Sequence, residues 1–243
     1  DDADWDAGDI RYNVLRWTSS PQPPFGGYGP SFVNPRTGEI LGADIMLEFC
    51  SISNRLFREE VFALAGTNLE LEENNLTKED MIADMHRCDA GQGMHHNMLF
   101  GISAMRAMNM ELAAQKDFVK QTLSRLVLHE VGHTLGLMHN MRASTLLSPE
   151  DIKNKAIVDE KGLCNSVMEY PSINFALNKE EQTKYYDDNP GPYDYWVIDY
   201  GYSESLADPE QEEARLEKIL SKSNNPDLAF GNDADDMRSS GKG

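Results

Sequence analysis

Apolar positions recur with helical spacing across residues 111–138. Val119, Leu123, Leu126, Val127, Val131 and Leu135 fall three or four residues apart. At 3.6 residues per turn they share one face, so this stretch predicts the strongest helix in the chain. Residues 94–110 predict a second helix, in which Met94, Met98, Met105, Met108 and Met110 serve as adaptable core filling. A soft-metal site there would want tighter Met clustering with Cys or His, and His95-His96 is the one such neighbour. Residues 48–65, with Phe49, Ile52, Leu56, Phe57, Val61 and Leu64, also read as a helix. A short helix is expected from Thr77, where Thr-Lys-Glu-Asp resembles a cap. Residues 209–221 predict an amphipathic surface helix, with Leu216, Ile219 and Leu220 on one side.

Strands are expected at 10–17 (IRYNVLRW), 31–33 and 39–45. The last two are joined by Asn34-Pro35-Arg36-Thr37-Gly38, whose turn chemistry predicts a hairpin. The Pro- and Gly-dense stretch before them is a loop. Residues 140–200 read as loops and short helices. From Asn224 onward the Gly/Asp/Ser-rich composition predicts a loose tail. No internal repeat is visible. The mixture places the chain in the α+β class.

Composition narrows the function. With 243 residues, 40% of them hydrophobic, the chain suits one large domain or a domain with an extension. No apolar run approaches 18 residues, which excludes membrane insertion by a helix. The formal charge of −19 repels phosphate backbones and anionic lipid heads, so nucleic-acid and membrane-surface roles are disfavoured. No stretch has the spacing of an EF-hand loop. Cys50, Cys88 and Cys164 cannot all pair within one chain, which excludes a disulfide framework and leaves one bridge or three buried thiols open. The opening DDADWDAGD is neither a signal nor a transit peptide. Either the chain stays in the cell or an upstream segment is absent here.

The segment that carries chemistry is HEVGHTLGLMH, residues 129–139. His129 and His133, four apart on the strongest helix, project from one face and can share a metal ion about 2.0–2.1 Å from each nitrogen. Glu130 is placed to take a proton rather than to bind the metal. His139, six beyond His133, would point away on a continuous helix, rotated by about 240°. A third ligand there requires the helix to end and the chain to reverse, and Gly136 is the residue that can take the left-handed conformation this needs. At 18 Gly and 6 His in 243 residues, finding both at these offsets by chance has a probability of about 0.002.

This pattern resembles the metzincin zinc peptidases, whose signature is HExxHxxGxxH followed by a Met-turn. Ser166-Val167-Met168-Glu169-Tyr170 looks like that turn, with Met168 as the hydrophobic floor. Its SxMxY form is similar to the astacin and serralysin branches, which implies for Tyr170 a role as extra ligand and transition-state donor. The wider chain resembles a bacterial family of large zinc-dependent metalloproteases through RYNVLRW, GPSFVNPRTGEILGADI, the zinc motif, SVMEYPS and GPYDYWVIDYGY. Such proteins are usually longer and exported, which implies a secreted, periplasmic or outer-surface location as part of a longer precursor.

The resemblance implies a metzincin-like catalytic domain over 1–202, with an upper part to about 138 and a lower part over 139–202, and a helical extension with a flexible tail over 203–243. Only the strand at 10–17 is expected before the hairpin, so the resemblance implies that the strand, long helix and second strand that usually open such a domain are absent from this stretch. Implied function is a zinc-dependent endopeptidase, acting on a peptide or protein by a Glu-assisted, zinc-activated water. Residues 29–33 (Gly29, Ser31 and Phe32 among them) would be the edge strand that receives substrate, and Pro171 and Ser172 would line the pocket beyond the scissile bond. The alternatives are a zinc hydrolase of small amides or cell-wall peptides, and a catalytically silent zinc-binding or interaction domain. A glutamate third ligand, Glu169 or Glu180, would have to displace His139. A cysteine switch at Cys88 lacks its surrounding motif, and His86, His95 and His96 read as surface or packing residues.

Overall fold

The structure, a computed structural model, describes residues 4–18, 27–48 and 90–232. Residues 49–65 of one expected helix and the helix expected from Thr77, together with His86, Cys50 and Cys88, lie outside the described residues. So does the tail from 233. Glu48, expected in the first of those helices, ends a strand instead.

The sheet is mixed. Strand β1 (Val14–Thr18) runs parallel to β4 (Ile40–Glu48), with Val14 opposite Asp44 and Trp17 opposite Leu47. On the other side of β4 lie β2 (Gly27–Tyr28) and β3 (Ser31–Val33), both antiparallel to it. Gly29-Pro30 separates them, and the Pro30 carbonyl still accepts from the Asp44 N–H at 3.1 Å, so 27–33 is one interrupted edge of the described sheet. The β3–β4 hairpin forms as its turn chemistry predicts, with Gly38 at φ 77°. The first strand begins at Val14 rather than residue 10, because the N–H groups of Gly8 and Arg11 are taken up by the Asp6 and Asp9 carboxylates.

Two long helices follow, of which the second packs on the sheet. Helix α1 (Ala90–Ala107) buries Met94, Met98, Ile102 and Met105 against Phe118 of α2 (Leu112–Thr134) and against Tyr185 and Tyr186. Methionines at those spacings are core filling, with Phe118 packed edge-on to Tyr185 at 5.3 Å. Gly101 brings the helices together, since a Cβ there would meet Phe118 Cζ at 2.6 Å. Complete burial of Phe118 contributes about 1.5–3 kcal/mol. Beyond α2 the chain forms α3 (Lys155–Lys161), α4 (Pro192–Tyr202) and α5 (Pro209–Leu220), joined by loops and 3-10 turns. A smaller core of Ala143, Val158, Leu163 and Cys164 fills this lower part. No described helix is long and apolar enough to cross a membrane.

The expectation of a loose tail from Asn224 does not hold through Asn232. Residues Pro226–Leu228 form a 3-10 turn, Leu228 and Gly231 are buried, and Phe230 stacks on Tyr193 at 5.5 Å. Composition missed this because the anchors are single residues within an otherwise polar stretch.

Candidate metal centre

Helix α2 presents His129, Glu130 and His133 to one side, with His129 and Glu130 fully buried. Its end is set by glycine. Gly136 sits at φ 82°, and Leu137 N–H bonds back to the Gly132 carbonyl at 3.0 Å, closing the turn that reverses the chain. The reversal carries His139 onto the other two imidazoles. Ring centroids stand 4.8 Å apart for His129–His133, 4.7 Å for His133–His139 and 5.4 Å for His129–His139. Their ligand nitrogens all lie within 4.8 Å of one another.

Backbone carbonyls orient two of the rings. Nδ1 of His129 donates to the Val167 carbonyl at 2.8 Å, and Nδ1 of His133 donates to the Leu137 carbonyl at 3.1 Å. A carbonyl can only accept, so each Nδ1 holds the proton and each Nε2 keeps its lone pair for a metal. Nε2 of His133 stands 3.0 Å from Nε2 of His139. Burial, with the neighbouring His133 and Arg125 charges, holds His129 well below its ordinary pKa, so the ring stays neutral. Three imidazoles with converging nitrogens fit a divalent ion such as zinc.

Glu130 lies under a glycine rim. A Cβ at Gly27 would meet Glu130 Oε1 at 2.5 Å, and one at Gly29 would meet the Glu130 carbonyl oxygen at 2.6 Å. Only glycine allows the edge strand this close to the carboxylate. Below, Met168 is wholly buried with its sulfur against Gly132, where a Cβ would come to 2.2 Å. Tyr170 Oη stands 2.9 Å from His139 Nε2. Pro171, next along, has its carbonyl bonded to Asn97 of α1 at 3.3 Å, and Ser172 is exposed. Ser31 and Phe32 continue the edge beyond Gly29, with Phe32 exposed.

The turn around Met168 is fastened by residues the sequence reading did not select. Asp194 of α4 accepts from Ser166 Oγ at 2.6 Å and from the Val167 N–H at 2.8 Å. Ser166 Oγ in turn accepts from the Met168 N–H at 3.0 Å. Arg125, one helical turn before His129, donates to the carbonyls of Ser166 and Glu169 at 3.0 and 3.3 Å. The Val167 carbonyl that orients His129 is therefore held on both sides. Burial raises the Asp194 pKa despite its three donors. The one local signal was Gly191-Pro192-Tyr193-Asp194, which reads as a helix start; the Gly191 N–H bonds to Asp194 at 2.8 Å.

Neither glutamate considered as a third ligand joins the cluster. Glu169 accepts from the N–H groups of Ser144 and Tyr170, and Glu180 is exposed. Among the described residues the metal-ligating group consists of His129, His133 and His139.

No curated protein and no solved structure matches the chain. The profile of a family described as Met-zincin matches residues 111–242, more than half of the 243, and the match takes in all three histidines. By that match, and by the histidine cluster that accompanies it, the chain belongs to the Met-zincin family.

Proposed function

We propose that this site hydrolyses internal peptide bonds as a zinc-dependent endopeptidase. The observation that carries the reading is the convergence of His129, His133 and His139 beside the buried carboxylate of Glu130. Family membership suggests a zinc metallopeptidase, and the arrangement of the chain's own groups supports the finer steps.

Held by the three imidazoles, zinc supplies Lewis acidity, which makes water nucleophilic near neutral pH and polarises the scissile carbonyl. Glu130 takes the proton from the attacking water at its carboxylate and returns it to the leaving amine nitrogen. The glycine rim and the helix bury that carboxylate, so bulk water does not compete for its proton. Tyr170 Oη, beside His139, donates a hydrogen bond toward the oxygen that gains charge. Met168 packs beneath the helix and keeps the histidine face level. The interrupted edge 27–33 offers backbone groups to an extended substrate, which binds as a further strand with Gly29, Ser31 and Phe32 nearest. Pro171 and Ser172 border the side chain that follows the scissile bond.

A peptide-library digest with parallel zinc analysis, comparing the wild type with Glu130→Gln, tests the reading. Cleavage within peptides should fall by about 10²–10⁴ in the variant while zinc content is retained. Undiminished cleavage would remove Glu130 from its role. Turnover of small amides alone would replace the endopeptidase reading.

A further inference from the structure

His129 and His133 are held by a helix, but His139 is not. It lies in an irregular turn, and something else must fix its backbone. The next residue does so. Asn140 is completely buried, and its side chain uses all four of its hydrogen-bonding positions. Nδ2 donates to Asn165 Oδ1 at 3.2 Å and to the Ala229 carbonyl at 3.0 Å. Oδ1 accepts from the N–H groups of Arg142 at 3.2 Å and Gly231 at 3.1 Å. The backbone joins in: Asn140 N–H bonds to the Met168 carbonyl at 3.0 Å, and Met141 N–H to the Gly231 carbonyl at 2.7 Å. Asn165 adds a bond from Nδ2 to the same Ala229 carbonyl at 2.9 Å.

Four of these bonds end on Ala229 and Gly231, about ninety residues further along the chain. That segment has anchors of its own. Leu228 is buried, Phe230 stacks on Tyr193, and Asn225 caps the 3-10 turn through the Asp227 N–H at 3.1 Å. The third histidine is thus tied to the Met168 turn on one side and to a distant peptide on the other.

We propose that residues 225–231 act as a strap on the metal centre, and that Asn140 is the positioning residue through which the strap holds His139. The metal part of this inference rests on the zinc reading above. Losing the strap frees the 139–142 turn, so His139 must be ordered anew each time an ion binds. His129 and His133 keep their helical support and are affected less.

Full-length Asn140→Ala, Asn140→Asp and Phe230→Ala provide the test, with two readouts beside a circular-dichroism check of folding. One is zinc affinity, measured by competition with a chromogenic chelator. The other is amide hydrogen exchange of the metal-free protein over 139–142. Asn140→Ala should weaken zinc binding about 10–100-fold, the range for partners behind a metal ligand, and speed exchange in the turn. Asn140→Asp keeps the acceptor for the Gly231 and Arg142 N–H groups but turns an oxygen instead of an N–H toward Asn165 Oδ1 and the Ala229 carbonyl, so it too should weaken zinc binding and speed exchange in the turn. Phe230→Ala, remote from the histidines, should shift both readouts in the same direction but by less. If Asn140→Ala does not fold, Phe230→Ala decides. Zinc affinity within about twofold of wild type, together with unchanged exchange in a folded variant, overturns the strap. If the wild type binds no zinc, the zinc reading fails by itself. Exchange then decides the strap: faster exchange in the turn upholds it and unchanged exchange overturns it.

Discussion

Replacing Gly132 with alanine sets two effects of opposite sign against each other. The position is inside helix α2, where alanine is favoured over glycine by about 1 kcal/mol. On that ground alone the variant would be more stable. The new methyl, however, would stand 2.2 Å from Met168 Sδ, far inside contact distance. Met168 is wholly buried, and its turn is pinned by Asp194 and Arg125, so the sulfur cannot simply swing aside. Overpacking of this kind costs about 1–3 kcal/mol, and a contact this short belongs at the upper end. The net expectation is a loss of about 1–2 kcal/mol, or about 2–8 °C in Tm for a chain of this size. Thermal unfolding of the metal-free protein measures it. The decisive comparison is a second background, Met168→Ala, which removes the obstructing sulfur at its own cost of about 2–5 kcal/mol. There Gly132→Ala should become stabilising by up to about 1 kcal/mol. The reversal of sign is what the geometry demands. Equal destabilisation in both backgrounds would refute the contact as the reason for glycine.

His139→Ala should weaken zinc binding by more than the roughly 10–100-fold caused by losing a group behind a ligand, whereas Glu180→Ala, on the exposed side, should leave it unchanged; equilibrium chelator competition separates them. Asp194→Asn keeps one acceptor oxygen but puts an N–H donor in place of the other, so the Ser166 and Val167 donors can no longer both be satisfied, and it should cost about 1–3 kcal/mol in denaturant unfolding. Burial raises the pKa of Asp194 above the ordinary aspartate value, so the folded state keeps a proton that the unfolded chain has lost. That contribution is fully present below the unfolded pKa and disappears as pH rises through the folded one. The variant's stability should therefore decline less steeply than the wild type's as pH rises above about 3.8. Cys164 is buried, and desolvation pushes its thiol up to about 12. Mapped by mass spectrometry at pH 8, the Cys164 peptide should resist alkylation in the folded protein and react once it is unfolded; equal rates would contradict its burial.

Helices α1, α2 and α5 were legible because helical periodicity is a local property, written every three or four residues. The fully buried face of α2 is nevertheless Phe118, Thr122, Arg125 and His129 rather than the expected stripe, whose Leu135 is exposed. The β3–β4 hairpin was legible because Pro35 and Gly38 constrain the backbone where they stand. So was the core of the metal centre: two histidines four apart share a helix face by geometry, and Gly136 supplies the reversal that brings in His139. Each of these depends on residues within a few positions of one another.

The remaining features come from groups that meet across long stretches of chain. Gly27 reads simply as a loop glycine, and Gly29 as the start of an edge strand, until the fold sets both against Glu130. Arg125 reads as one more charged helix residue, yet it is buried and holds the Ser166 and Glu169 carbonyls. Asp194 and Asn140 gain their roles from partners 27 to 91 residues away. A buried polar side chain must find partners for its hydrogen bonds, and those partners are chosen by how the chain packs. Which atoms can hold a metal follows from residues close together in the chain; what braces those atoms follows from groups that only packing brings near.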